Sequence, residues 1–143
     1  MRVIFAVFVL VAASAAAAAQ GMDKERRTEM FRREIAKAKW VPFAKDDGGD
    51  AYFVDSLTMK RFAGTVVVFL VKQEKKDGIE YTKNVGGCTK HIMATDNRLF
   101  SKPNETTLTG GAVDNAQQIT LVKGTIEYSI LEYVCTNAKQ LKL

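Results

Sequence analysis

Thr65-Val66-Val67-Val68-Phe69-Leu70-Val71-Lys72 is the stretch whose reading decides the fold. Seven of its eight residues are β-branched, aromatic or leucine, the composition of a strand. The run does not alternate with polar residues, so it reads as a central strand covered, at least in part, on both faces. Lys75-Lys76-Asp77-Gly78 closes it in a turn. The return stretch then sets Glu80, Thr82 and Asn84 on one face and Ile79, Tyr81, Lys83 and Val85 on the other. An antiparallel sheet is the frame these residues imply.

Upstream, Trp40-Val41-Pro42-Phe43 leads into Lys45-Asp46-Asp47-Gly48-Gly49-Asp50, whose Asp-Gly and Gly-Gly steps are hairpin chemistry, and Ala51-Tyr52-Phe53-Val54 is the return strand. Trp40 is expected to bury itself against Val67 and Phe69. Asp55-Ser56 is expected to open a short helical turn through Leu57, Met59 and Arg61, ended by Gly64. Downstream, Gly86-Gly87 signals a bulge or close packing just before Cys88, which is expected to head a strand. Residues 92–95 and 98–100 are expected to pair across a turn at Asp96-Asn97. Residues 101–115, with Pro103 and Gly110-Gly111, read as a long loop or a ragged edge hairpin.

The C-terminal element supports two periods. Ile126, Tyr128 and Ile130 alternate as in a strand, whereas Ile126, Ile130, Leu131 and Val134 form a helical stripe that also turns Cys135 inward. Gly124-Thr125 supplies an N-cap and tips the reading to a helix. The fold class is therefore α+β: an antiparallel sheet of about five or six strands with a C-terminal helix, preceded by a basic N-terminal helix.

The chain has 143 residues, 47% of them hydrophobic. Residues 1–19 read as a signal peptide: Arg2 is the charged n-region, residues 3–13 are an unbroken apolar run, and Ala15 to Ala19 are small residues for cleavage before Gln20. After that, about 41% of the residues are hydrophobic and no stretch approaches the roughly 20 apolar residues of a membrane span. No cysteine follows the alanines to carry a lipid. The expected address is exported: periplasm, secreted or cell surface. An oxidising compartment makes the only two cysteines, Cys88 and Cys135, a disulfide, and no Cys-x-x-Cys or neighbouring base suggests redox work. In the chain-entropy picture such a loop contributes on the order of 4 kcal/mol.

Charge locates a candidate binding element. Residues 22–39 carry seven Lys or Arg against four acids, while residues 40–143 carry 13 against 12. Within the basic segment, residues 20–39, the stretch Met22 to Lys39 lacks Pro and Gly and reads as a helix with a thin apolar face of Phe31, Ile35 and Ala38 beside Met30. A helix of that kind is expected to dock lightly and to be dispensable for folding. Arg26, Arg27, Arg32, Arg33 and Lys37 are then the candidate ligand-binding residues, for an anionic surface or polymer, against the alternative of a solvated face laced with ion pairs. Nucleic acid is disfavoured by the single aromatic there and by export.

Taken in order, Trp40, the hairpin, Tyr52-Phe53-Val54-Asp55-Ser56-Leu57, the β-branched strand, Cys88 and Leu131-Glu132-Tyr133-Val134-Cys135 resemble the surface-adhesin protein E-like family of Gram-negative bacteria, over about residues 40–135. Phe69 stands where that family often has tryptophan, and the basic, tyrosine-rich run after the first cysteine is reduced to Thr89-Lys90-His91-Ile92-Met93. The resemblance implies an exported domain in which a disulfide ties a C-terminal helix to an antiparallel sheet, and a role in binding.

Catalytic signals are few. His91 is the only histidine, so a hydrolase using it is the least favoured reading. Asp46, Asp47 and Asp50 lack the spacing and distal Glu of a calcium loop, and no phosphate-cradling glycine motif is present. The expectation is a non-enzymatic, adhesin-like module without metal or cofactor, contacting a protein or an anionic envelope or host ligand. A periplasmic structural or inhibitory partner is the alternative, and a homodimer is compatible with either.

Overall fold

A computed structural model describes residues 23–140; the segment assigned to the signal peptide lies outside them. The elements run α1 (Lys24–Lys37), β1 (Trp40–Lys45), β2 (Ala51–Asp55), β3 (Lys60–Phe62), β4 (Val66–Lys75), β5 (Gly78–Gly87), β6 (Ile92–Ser101), β7 (Thr109–Ala112), β8 (Ile119–Thr120), α2 (Ile126–Asn137) and β9 (Lys139–Gln140). Six strands form the order β1-β2-β4-β5-β6-β7, every neighbouring pair antiparallel. Three short strands attach to this path: β3 to β4, β8 to β6, and β9 in parallel to β3. The class is α+β.

β4 is central and covered on both sides. Alternate residues of a strand point to opposite faces, so Val67 and Phe69 meet Ile130, Leu131 and Val134 of α2, while Leu70 meets Phe31 of α1 and Leu99. The two helices thus lie on opposite faces of one sheet. α2 begins where expected: Thr125 caps it by accepting from Tyr128 N. Gly86 has no side chain because α2 lies there; a Cβ would run into Leu131 Cδ1 and press on Phe69. Cys88 and Cys135 are bonded with Cα atoms 5.9 Å apart, tying the end of α2 to the sheet. Cys88 directly follows β5 instead of heading the next strand, because its backbone N–H is held by Thr65 O at 2.7 Å while residues 88–91 turn.

Several local expectations change. Asp96-Asn97 is no turn: β6 runs unbroken from Ile92 to Ser101, and Asp96 is the extra residue of a bulge between the pairs Lys83↔Asn97 and Asn84↔Thr95. Residues 55–64 form bends and β3 instead of a helical turn. Asp55 is fully buried, and its carboxylate accepts from Lys39 N, Leu57 N and the Thr58 hydroxyl, which pins the bend, while pairing of Lys60–Phe62 with Val66–Val68 draws the chain beyond it into a strand. Residues 101–115 resolve into the ragged edge hairpin, with β7 on β6. Trp40 is half-buried on the α1 face, 5.8 Å from the Tyr81 ring, with Lys72 Nζ 5.5 Å from its centroid. Val41, paired with Val54, takes the face expected for Trp40.

The light docking expected of α1 is also corrected. Phe31 is fully buried, Arg27 pairs with Asp96 at 2.8 Å, Lys83 with Glu34 at 2.8 Å, and the Thr28 hydroxyl accepts from Ala112 N at 3.0 Å. A thin apolar stripe suffices because polar contacts flank it on both sides.

Candidate functional site

α2 covers the end of its sheet face near Gly86 and leaves the end near Lys75 open. Cross-strand register lays out what that open face carries. One row is Tyr52, Gln73 and Glu80; the next is Val54, Val71, Thr82 and Arg98; the third is Phe69, Asn84 and Thr95. Apart from the buried Val54, these rows floor a hollow of about 290 Å³ walled by Glu127 and Ile130 from the first two turns of α2. A second hollow of about 360 Å³ shares Met93, Thr95 and Arg98 with it and continues to Val113, Ala116 and Ile119. Together they make a furrow across β2, β4, β5 and β6.

Strands position these side chains because the pleat alternates, and the same period that feeds Val67 and Phe69 to α2 delivers Val71, Gln73 and Lys75 to the furrow. Two polar networks fix them. Glu80 receives Lys75 Nζ at 2.9 Å on one oxygen and Arg98 Nη1 at 2.6 Å on the other. Gln73 Nε2 donates to Asp50 Oδ2 and to the Tyr52 hydroxyl oxygen, both at 3.0 Å, and the Tyr52 hydroxyl points at Asp46 Oδ2 at 3.4 Å. Deeper, Asn84 is nearly fully buried, donating to the Thr82 hydroxyl and accepting from that of Thr95. Burial and the carboxylates of Glu127, Asp46 and Asp50 push the Tyr52 phenol up to about 12. It is therefore a neutral donor at any physiological pH.

The five basic candidates do not form one site. Arg27 is engaged with Asp96, and Arg32 Nη2 donates to the Leu108 carbonyl at 3.1 Å. Arg33 is 3.7 Å from Glu29, both well exposed. Arg26, Arg33 and Lys37 share the solvent side of α1 with Met30, which is 43% exposed. His91 sits in the turn after β5 with φ 52°, stacked on Tyr128 at 4.3 Å and 3.7 Å from Glu132 Oε1, outside the furrow. Asp46 and Asp50 adjoin the furrow through Tyr52 and Gln73.

The sequence places Glu80, Thr82 and Asn84 on a common face but does not mark the furrow. The available signal was polar residues alternating on a strand beside a covered one, but only the length and placement of α2 leave them open. No family model matches the chain, and no curated protein matches it.

Proposed function

We propose that the protein is an exported, non-enzymatic binding module, adhesin-like as its sequence resemblance implies, and that it takes a protein ligand in the furrow. The observation that carries this reading is the open sheet face, on which the Lys75-Glu80-Arg98 and Tyr52-Gln73-Asp50 networks hold polar groups on rigid strands beside Phe69, Val71 and Met93. Concave sites of this composition, apolar with a few fixed polar groups, are where ligands bind. The Cys88–Cys135 disulfide supports an oxidising address, and no helix among the described residues is long and apolar enough to cross a membrane.

The test is binding of the purified mature chain to intact envelopes and to candidate host surfaces. Thr82→Trp and Thr95→Trp fill the furrow floor and leave α1 untouched. Loss of binding in both variants, with far-ultraviolet circular dichroism retained, supports the reading; undiminished binding defeats it. Cell fractionation separates the surface module from a periplasmic partner of the same fold.

A second reading keeps an anionic ligand on the outer side of α1. What favours it is the shared exposure of Arg26, Arg33 and Lys37. Charge reversal of all three, with a steep loss of binding between low and physiological salt in the unmodified protein, is its signature.

A further inference from the structure

We propose that the furrow is a peptide site: it holds an extended segment of about five or six residues that sets a basic side chain beside Glu127 and Tyr52 and an acidic one on Arg98. This rests on the furrow being the binding face.

The furrow has the length of a short extended peptide. The two hollows share Met93, Thr95 and Arg98, so they adjoin, and together they extend from Tyr52 to Ile119. Crossing from β2 to β6 and on to the 113–119 segment takes about four strand spacings, roughly 15–20 Å. An extended chain covers that in about five or six residues at roughly 3.3 Å each.

At the Tyr52 end, Glu127 is half-buried in the first turn of α2 and has neither an ion pair nor a side-chain hydrogen bond among the described residues. Asp46 and Asp50 stand beside it around Tyr52 and Gln73. Lys75, the cation lining this hollow with Arg98, is already held on Glu80 at 2.9 Å. Burial, and after it the carboxylates of Glu127, Asp46 and Asp50, raise the Tyr52 phenol. Arg98 differs: its side chain is 54% exposed and commits Nη1 to Glu80, leaving further guanidinium donors for a ligand carboxylate. The furrow is thus negative at one end and offers a cationic fork on β6, three strands away.

Between the two charges, Val71 and Met93, half-buried above the core residues Phe69 and Ile130, provide an apolar bed flanked by the hydroxyls of Thr82 and Thr95. Ile119, 52% exposed, extends that bed past Arg98. Alternating apolar and polar side chains with opposite charges a few residues apart describe a peptide. An acyl chain offers no cation for Glu127, and a polyanion meets the unpaired carboxylate.

The experiment measures fluorescence anisotropy of the full mature chain with labelled, acetylated hexapeptides. One reads Lys-Thr-Val-Thr-Glu-Val, a second exchanges its Lys and Glu, and a third carries Gln at both positions. The first is expected to bind about tenfold tighter than the exchanged peptide. Glu127→Gln should weaken the Lys-bearing peptide and leave the Gln peptide unchanged, and Arg98→Gln should act likewise on the Glu position. Equal binding of all three peptides, or binding of none, overturns the proposal. If Thr95→Trp abolishes envelope binding while the peptides show no charge preference, the peptide inference alone has failed. If Thr95→Trp leaves envelope binding intact, the furrow reading itself has failed.

Discussion

Arg27 Nη2 lies 2.8 Å from Asp96 Oδ1, joining the first helix to the residue that bulges from β6 across 69 positions of sequence. Beside it, Asn97 Nδ2 reaches the Arg27 carbonyl at 3.4 Å and Phe31 closes over Leu70 and Leu99. A cation that the sequence offers to a ligand is thereby spent on holding α1 to the sheet.

α1 should therefore be required for stability. Phe31→Ala is expected to cost about 3–5 kcal/mol, as for other buried phenylalanines, whereas Arg27→Ala, at a partly exposed pair, should cost no more than about 1 kcal/mol. Urea unfolding measures both. A chain lacking residues 23–39 should lose its cooperative transition, and one that keeps a full transition contradicts the packing described.

The disulfide gives a second expectation. Unreduced mature protein should weigh two hydrogens less than the dithiol, and Cys135→Ser should lower stability by about 2–5 kcal/mol. Free thiols titrated in folded, unreduced protein would contradict the bond.

Gly86 is a packing requirement. Gly86→Ala should destabilise by about 1–3 kcal/mol, because its Cβ meets Leu131 Cδ1. In the double variant with Leu131→Ala the two costs should be less than additive, since the shortened side chain makes room. Strict additivity by chemical denaturation would rule out the contact.

Tyr52 predicts alkaline behaviour. Its folded pKa, about 12, lies above the unfolded value of 10.0. Above pH 10 the unfolded chain loses this proton first, so the stability Tyr52 contributes is intact below pH 10 and is lost as pH rises toward 12. The loss is on the order of 2–3 kcal/mol. Tyr52→Phe should flatten that part of the stability profile, measured by denaturant titration at stepped pH. An unchanged slope would mean the phenol ionises normally in the fold.

Sequence alone determined the frame. The apolar run of β4 required cover on both faces, Gly78 and the Asp-Gly steps reversed the chain, Thr125 capped α2, and two cysteines allowed one bond. These are local signals, set by turn chemistry, period and propensity. Tertiary structure decided the rest through long-range pairing. Whether Trp40 or Val41 faces α2 depends on one register between β1 and β2, and a shift of a single residue exchanges the faces. Asp96-Asn97 carries turn chemistry, yet pairing with β5 on one side and β7 on the other keeps the chain extended, and Arg27 takes the carboxylate. The furrow was the least legible feature. Its residues come from five strands, the 113–117 loop and a helix, and those on the sheet are open because α2 covers one end of the face and stops short of the other.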